Sequence, residues 1–374
     1  MREKLTSILS QYWGYNDFRP MQYEIISSVM SGRDTLALMP TGGGKSLTYQ
    51  LPTLAQEGLC IVVTPLIALM KDQVDGLKRR GISAVAIHSG LSNQKIDRLL
   101  DNCAYGDVKF LYIAPERIDT PIFRVRARRM NVALIAVDEA HCISEWGYDF
   151  RPAYRHIVQL RELMPEVPVL ALTASATDEV AEDIMSVLRF GEKHILRSSF
   201  ARPNLRYVVR KTDDKEGMIL NILDKVPGSG IIYTRRRKDA EVLAEWLVQH
   251  GVGASYYHGG LPSEERSIRQ DEWVSGKVRV MVATNAFGMG IDKGDVRFVI
   301  HYSMSDTIES YYQEAGRAGR DGGRSYAVLL TQERDYELMR QRVENSFPPV
   351  EKVKKIYDQL CSFLMIANGD GKGC

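Results

Sequence analysis

A glycine-rich turn after a short apolar stretch constrains the fold of this chain more than any other feature. Residues 35–39 have the composition of a buried strand, and residues 40–46 read Pro-Thr-Gly-Gly-Gly-Lys-Ser. Three consecutive glycines allow a tight turn that points several backbone N–H groups at one anion. A helix predicted from Lys45 to Gln50 adds the positive end of its dipole at the same point. This pattern predicts a phosphate-binding loop at the edge of a parallel α/β sheet.

The side chains of this loop suit a nucleoside triphosphate and its metal ion. Lys45 would reach the β- and γ-phosphates, and the Ser46 hydroxyl would bind Mg²⁺. The strict phosphate-loop pattern requires glycine at position 39, where this chain has Met39. The segment alone therefore leaves open a glycine-rich loop without a ligand. The predicted nucleotide-binding residues of the loop are Thr41, Gly42, Gly43, Gly44, Lys45 and Ser46.

An acidic pair at the end of another apolar run favours the nucleotide interpretation. Residues 132–137 are apolar without interruption, as in a central parallel strand, and Asp138 and Glu139 follow directly. Ligands bind beyond the carboxyl ends of such strands. Asp138 would bind Mg²⁺, and Glu139 would orient or deprotonate the attacking water. The alternative, a helix N-cap, does not account for His141 or the upstream loop, so the two motifs together predict hydrolysis of a nucleoside triphosphate.

Composition sets limits without indicating a function. The 374 residues suffice for two or three domains. Lysine and arginine number 49 against 47 acidic residues, a net charge of +2, so a nucleic-acid partner would have to bind local patches. The five cysteines show no paired spacing, which argues against a disulfide framework or a zinc site and favours a reducing compartment. Without a membrane-length apolar run or a signal-peptide pattern, we expect a soluble intracellular protein with no membrane partner.

Apolar runs alternate with amphipathic stretches along most of the chain, which predicts two tandem parallel-sheet α/β domains. The first spans residues 1–200 and the second residues 201–340, with a polar, proline-containing linker at residues 198–204. The second domain has no phosphate loop of its own. Ile356, Leu360 and Leu364 recur at four-residue spacing and predict a short helical extension within residues 341–374 that needs a surface to pack on.

A pair of arginines gives the second domain a role in the predicted hydrolysis. Residues 313–322 read Gln-Glu-Ala-Gly-Arg-Ala-Gly-Arg-Asp-Gly. Arg317 and Arg320 are three residues apart and would share one face of a helical turn. If the domain cleft closes on the nucleotide, their guanidinium groups would stabilise the charge on the transferred phosphoryl group. A solvated helix face is the alternative, but it leaves Gly316 and Gly319 unexplained.

These motifs, together with residues 173–177, resemble those of the superfamily-two helicases and more narrowly the RecQ DNA helicases. The resemblance covers residues 8–340 and implies two tandem RecA-like domains that use ATP and Mg²⁺. Tyr15 and residues 18–22 are similar to the family's adenine-recognition segment. The resemblance implies that Tyr15 stacks on the base, Gln22 hydrogen-bonds its edge and Arg19 assists, and it assigns Gln313 to the nucleotide as well. The start of a buried amphipathic helix is the alternative for this segment.

Two further stretches resemble segments of the RecQ family that are associated with DNA binding. Residues 142–152 resemble the aromatic-rich loop that senses single-stranded DNA in RecQ enzymes, and residues 287–293 resemble the family's fifth motif. Exposed rings beside arginine suit base stacking, at about 1–3 kcal/mol per base, although a packed aromatic cluster is the alternative. The resemblance places DNA contacts at Thr64, Trp146, Phe150, Arg151, His258 and Thr284.

The resemblance implies an ATP-dependent DNA helicase that moves 3′ to 5′ and acts in DNA repair and recombination. Single-stranded and tailed or branched DNA are the expected partners, and a monomer is expected, in the cytoplasm with the nucleoid if bacterial and otherwise in the nucleus. RecQ enzymes commonly continue into a four-cysteine zinc module, whereas Cys361 and Cys374 stand alone here. We therefore expect no zinc, and either a truncated chain or a variant lacking that module. An RNA helicase or remodelling ATPase, and a nucleotide-gated DNA clamp that does not unwind, remain alternatives.

Overall fold

Two parallel β-sheets, each with an apolar core on both faces, form the chain in this computed structural model. The structure describes residues 1–65, 67–147, 149–174, 176–288 and 293–364. Predictions that involve Leu66, Tyr148, Ser175, residues 289–292 or residues 365–374, including Cys374, lie outside the described residues.

The first sheet has seven strands, and every neighbouring pair is parallel. Its strands are β1 Thr35–Leu38, β2 Leu59–Val63, β3 Ala84–Ile87, β4 Phe110–Ile113, β5 Val132–Val137, β6 Val169–Thr173 and β7 Ile195–Arg197. Their order is β3-β4-β2-β5-β6-β1-β7. Every residue of β1, β2, β4 and β6 is buried, as expected of parallel strands covered on both faces.

The second sheet repeats this arrangement with six parallel strands. They are β8 Leu205–Lys211, β9 Ser229–Tyr233, β10 Ala254–Tyr257, β11 Val280–Ala283, β12 Val296–His301 and β13 Ser325–Thr331. Their order is β10-β11-β9-β12-β13-β8. If the strands of each sheet are numbered from its first strand in the chain, β1 or β8, the spatial order in both sheets is third, fourth, second, fifth, sixth, first. The first sheet adds β7 at its edge. This shared order confirms the predicted α/β fold of two tandem parallel-sheet units.

Helices connect the strands. Those that precede or flank the first sheet are α1 Arg2–Trp13, α2 Gln22–Met30, α3 Leu47–Ala55, α4 Ile67–Arg79, α5 Asn93–Tyr105, α6 Pro121–Ala127, α7 Val158–Leu163 and α8 Asp178–Val187. Those of the second half are α9 Lys215–Lys225, α10 Arg237–Gln249, α11 Ser263–Val274, α12 Ile308–Ala315, α13 Glu333–Ser346 and α14 Val350–Leu364. Short 3₁₀ helices occur at Pro115–Arg117, Ala140–Ile143 and Pro152–Ile157.

Met39, the residue that departs from the strict phosphate-loop pattern, is a core side chain. It follows β1 directly, is 1% exposed and packs in the same apolar cluster as Ile25, Val29 and Tyr49. A glycine at this position would leave that space unfilled. The glycines of the loop therefore begin three residues later, at Gly42.

The predicted C-terminal helix forms, but its apolar stripe is largely uncovered. In α14, Ile356, Leu360 and Leu364 are 49%, 53% and 58% exposed, and Cys361 is its one buried residue among those described. The predicted helix is therefore confirmed, and the described residues leave most of its apolar stripe exposed. None of the helices within the described residues is long and apolar enough to cross a membrane.

Candidate active site

The loop between β1 and α3 has a backbone that requires glycine at two positions. Gly42 and Gly44 both have φ of +77°, in the left-handed region that side chains disfavour. A Cβ on Gly44 would lie 2.4 Å from Gln22 Nε2. Residues 44–46 then form a turn in which Leu47 N donates to the Gly44 carbonyl at 3.2 Å. Because of this turn, α3 begins at Leu47 rather than at Lys45.

Lys45 and Glu139 meet beside this loop. Lys45 Nζ lies 3.9 Å from Glu139 Oε1, and both side chains are largely buried. Glu139 has φ of +49°, a left-handed conformation that is uncommon outside glycine. Its N–H donates to Asp138 Oδ1 at 3.0 Å, whereas its Oε2 accepts no hydrogen bond from the described residues. The carboxylate thus lies between Lys45, beside Oε1, and His141, whose Nδ1 is 3.5 Å from the buried Oε2.

The two adjacent carboxyl groups have opposite pKa shifts. Burial, together with the neighbouring negative charge of Glu139, raises the pKa of Asp138. Burial also acts to raise the pKa of Glu139, but surrounding positive charges outweigh it and leave that pKa below its usual value. Lys45 contributes the largest of these charges, and Arg317 and Arg320 add to it. Glu139 is therefore ionised at neutral pH, and Asp138 is the carboxyl group whose ionised form a cation would favour most.

His141 connects Glu139 to the end of β6. Its Nδ1 lies 3.0 Å from Thr173 Oγ1 and 3.5 Å from Glu139 Oε2. The side chain is 2% exposed, and burial lowers its pKa, so the ring is neutral at pH 7. The structure therefore brings together Lys45, Asp138, Glu139 and His141 at the carboxyl ends of neighbouring strands. Their catalytic roles remain predictions.

The residues predicted to recognise adenine flank the phosphate loop. Tyr15 is 50% exposed just beyond α1. The Arg19 guanidinium donates to the Gly42 carbonyl, and Gln22 Nε2 donates to the Gly44 carbonyl at 3.0 Å. Both side chains hold the loop backbone, so binding a base through the same groups would replace these hydrogen bonds.

The segment at residues 316–320, here called the arginine turn, lies beyond the end of α12, and both of its arginines act to lower the pKa of Glu139. Helix α12 ends at Ala315, and Gly319 has φ of +63°, which is incompatible with a continuing right-handed helix. Arg317 is 8% exposed and donates to the Gly288 carbonyl of its own domain. Arg320 instead covers the phosphate loop, since a Cβ on Gly42 would lie 2.9 Å from Arg320 Cγ.

The two domains meet where the arginine turn contacts the phosphate loop. Thr41 Oγ1 donates to the Gly316 carbonyl at 3.1 Å. The approach is so close that a Cβ on Gly316 would lie 2.1 Å from Thr41 Oγ1. Arg202, in the linker between β7 and β8, donates to the Thr41 carbonyl at 3.2 Å. Sequence reasoning missed Arg202, because one arginine in a polar, proline-containing segment carries no signal beyond that of a linker.

Trp146 protrudes from the loop that follows the Ala140–Ile143 helix. Trp146 is 77% exposed, and its backbone N–H donates to Ser144 Oγ at 3.2 Å. The loop backbone lies directly on the histidine segment, since a Cβ on Gly147 would lie 2.5 Å from the His141 carbonyl oxygen. An exposed aromatic ring is thereby connected through one backbone contact to the residue beside Glu139.

Arg151 and Phe150, the other two residues of this loop predicted to contact DNA, already interact with side chains or backbone of the protein. Arg151 donates to Asp149 Oδ2 at 2.9 Å and to the Pro65 carbonyl at 3.3 Å. The Arg155 guanidinium lies 5.5 Å from the centre of the Phe150 ring. Trp146 is therefore the most accessible of the three for base stacking.

Thr64, His258 and Thr284 directly follow β2, β10 and β11, and all three are less than 10% exposed. His258 Nε2 lies 2.7 Å from Glu241 Oε1, and its Nδ1 accepts a hydrogen bond from Gly260 N at 3.2 Å. These residues lie at strand ends in both domains. Their contact with DNA remains a prediction.

The donor set beside the loop suits magnesium. Ser46 directly precedes α3, and a hydroxyl with the Asp138 carboxylate supplies the hard oxygen ligands that Mg²⁺ prefers. Gln313 lies half-buried on α12. The absence of zinc remains a prediction: His141, Cys142 and Asp149 place possible ligand atoms within 4.8 Å of one another.

Both domains match known helicase families. Residues 19–184 match the DEAD/DEAH box helicase family, and residues 214–322 match the helicase conserved C-terminal domain. The fold is similar to that of the helicase MrfA bound to DNA, with a TM-score of 0.75 and 19% identity over 91% of this chain and 52% of that one. At this identity the likeness concerns the fold alone.

Curated relatives are similar over most of the chain. The chain is 45% identical to the ATP-dependent DNA helicase RecQ of Bacillus subtilis (strain 168), over 92% of its own length and 59% of the relative. It is 41% identical to the probable ATP-dependent DNA helicase RecS of the same organism, over 94% and 72%. It is 40% identical to the putative ATP-dependent RNA helicase R290 of Acanthamoeba polyphaga mimivirus, over 94% and 65%.

Proposed function

The chain belongs to the RecQ family of superfamily-two helicases, and we propose that it is an ATP-dependent DNA helicase that moves 3′ to 5′ along single-stranded DNA. It spans 59% of the length of the B. subtilis RecQ relative, so the activity of such whole proteins is part of the proposal. The observation that carries it is the cleft beside the phosphate loop. There Lys45 and Glu139 of the first domain lie opposite Arg320 of the second.

In the proposed reaction the phosphate loop and Lys45 bind the triphosphate. Ser46 and Asp138 would hold Mg²⁺, which when bound offsets phosphate charge. Glu139 is ionised and lies beside Lys45, and we assign to it the orientation of the water that attacks the γ-phosphate. Arg320 stabilises the negative charge that develops on the transferred phosphoryl group.

DNA would control this reaction through the Trp146 loop. A base that stacks on the exposed indole moves or orders the loop, and the contact of Gly147 with the His141 carbonyl transmits that change toward Glu139. Closing of the cleft on ATP and its reopening after hydrolysis would advance one domain along the strand. We extend the proposal to tailed or branched DNA as substrate, to action in repair and recombination as a monomer, and to the nucleoid or the nucleus as its location.

We expect ATP hydrolysis by the purified chain to rise about tenfold when single-stranded DNA is added, which corresponds to a barrier lowered by about 1.4 kcal/mol. Steady-state hydrolysis with and without a poly-dT oligonucleotide measures this. RNA of the same length is the comparison, because one relative is named an RNA helicase. The proposal would be refuted if the rate of ATP hydrolysis does not change when DNA is added and is also the same in Glu139→Gln. Strand displacement from a 3′-tailed duplex then separates a helicase from a clamp that hydrolyses ATP without unwinding.

Trp146→Ala should raise the DNA concentration that gives half-maximal stimulation about 5- to 100-fold, because one stacked base contributes about 1–3 kcal/mol. Trp146→Phe, which keeps a stacking surface, should recover much of the loss. Tyr105→Ala, which removes a ring 66% exposed on α5, is the matched control. An unchanged DNA requirement for Trp146→Ala would exclude the indole as the sensor.

A further inference from the structure

Arg202 contacts both domains from the linker that joins them. Its Nη1 donates to the Thr41 carbonyl at 3.2 Å and to the Gly316 carbonyl at 3.3 Å. Its Nη2 donates to the Ala318 carbonyl at 3.0 Å and to the Gly319 carbonyl at 2.8 Å. One side chain thereby joins the phosphate loop to the arginine turn.

The acceptors explain why this residue is an arginine. Three of the four carbonyls follow α12, which ends at Ala315, and carbonyls beyond a helix C-terminus lack partners within the helix and favour a positive charge. A guanidinium offers five N–H donors in a planar fork, so it can serve several carbonyls at once. The single ammonium of a lysine has no second nitrogen to replace Nη2, which serves the Ala318 and Gly319 carbonyls.

Asn204 and Glu314 hold the arginine turn from within the second domain. Asn204 Nδ2 donates to the Gly319 carbonyl at 2.7 Å and to the Gly323 carbonyl at 3.0 Å. At the preceding end of the turn, Glu314 Oε2 lies 3.0 Å from His301 Nε2 and accepts from Ser305 Oγ at 2.7 Å. Across the cleft, the Thr41 hydroxyl donates to the Gly316 carbonyl, and Arg202 adds its own hydrogen bond to the Thr41 carbonyl.

We propose that Arg202 is a positioning residue that holds the arginine turn against the phosphate loop, so that Arg320 reaches the phosphoryl group of a bound nucleotide. The inference rests on the proposed ATPase function. Arg202 acts through the backbones of Thr41 and the arginine turn rather than on the nucleotide. A displacement of about 1 Å at a catalytic group can cost about 100-fold in rate, so the loss of this one tether should be measurable.

The test compares two nucleotide states whose binding requires different parts of the cleft. Labelled ADP needs the first domain, whereas ADP with aluminium fluoride, which imitates the phosphoryl group in transfer, also needs Arg320. In Arg202→Ala and Arg202→Lys we expect affinity for the aluminium fluoride complex to fall about 10- to 100-fold and affinity for ADP to change less than about twofold. Turnover should fall by the same factor as the first affinity, with the KM for ATP little changed.

Two variants make the outcome specific. Asn204→Ala removes an anchor of the same turn that does not cross the cleft, and should lower the affinity ratio of the two nucleotide states much less. Arg206→Ala removes an exposed arginine of β8 and controls for charge. The inference is overturned if Asn204→Ala lowers the affinity ratio as much as Arg202→Ala does. It is also overturned if Arg202→Ala changes the affinities for ADP and for the aluminium fluoride complex by the same factor, or changes neither. A third contradicting result would be an unmodified chain that binds both nucleotide states with the same affinity. Because the ratio needs no hydrolysis, it tests Arg202 even if DNA fails to stimulate the ATPase and the proposed function fails.

Discussion

Replacing Glu139 with glutamine should lower the turnover number for ATP about 10³-fold, within the range that a positioned general base contributes. Glutamine keeps the shape of the side chain but takes no proton and attracts a water molecule more weakly. Binding should persist, because the substitution removes a negative charge that lies 3.9 Å from Lys45 Nζ and would face the triphosphate. We therefore expect the Kd for ATP to stay the same or decrease while DNA-stimulated hydrolysis is lost.

Steady-state hydrolysis with saturating DNA and equilibrium binding of a fluorescent ATP analogue measure the two effects separately. Glu166→Gln, at an exposed position in the turn before β6, is the matched control and should leave both values unchanged. Retention of more than about a tenth of the rate in Glu139→Gln would assign the attacking water to another group. Asp138 would then be the next candidate, because it follows β5 directly beside Glu139.

The strands that carry this site could be predicted because their signals are local. The apolar run of β5 ends directly in Asp138, and β1 is followed within a few residues by three glycines, so each pattern specifies both the strand and the side chains at its end. Strand β8 gave no such signal. As an edge strand it has one buried residue in seven, and its basic residues at 206, 210 and 211 enclose only three apolar ones, which resembles neither a buried run nor a half-buried strand.

The contacts between distant segments could not be predicted from the sequence. Arg151 and its partner Asp149 are close in sequence, but the Pro65 carbonyl that Arg151 also contacts lies on another loop. The divergence of Arg317 and Arg320 depends on the left-handed backbone of Gly319, since spacing alone is consistent with one helical face. Both sets of contacts follow from tertiary packing. They determine which partners Arg151, Arg317 and Arg320 have in the folded chain.

That divergence gives different expectations for the two arginines. Arg317 is buried and donates to the Gly288 carbonyl, so Arg317→Ala leaves a buried carbonyl without its partner. We expect this variant to lower the free energy of unfolding by about 1–3 kcal/mol, seen as a lower midpoint of thermal unfolding. Any loss of hydrolysis should then accompany a loss of folded protein.

Arg320→Ala should instead lower turnover about 10³-fold or more, the usual contribution of an arginine that stabilises a phosphoryl group in transfer. Its side chain covers Gly42 of the phosphate loop from the second domain, where it would face the bound triphosphate. Arg320→Lys keeps the charge but not the planar fork, and should restore only a small part of the rate. Parallel measurement of turnover and unfolding midpoint separates the two residues. If Arg317→Ala loses turnover at an unchanged midpoint while Arg320→Ala remains active, then Arg317 is the residue that acts on the nucleotide, and the cleft must close differently from the arrangement described above.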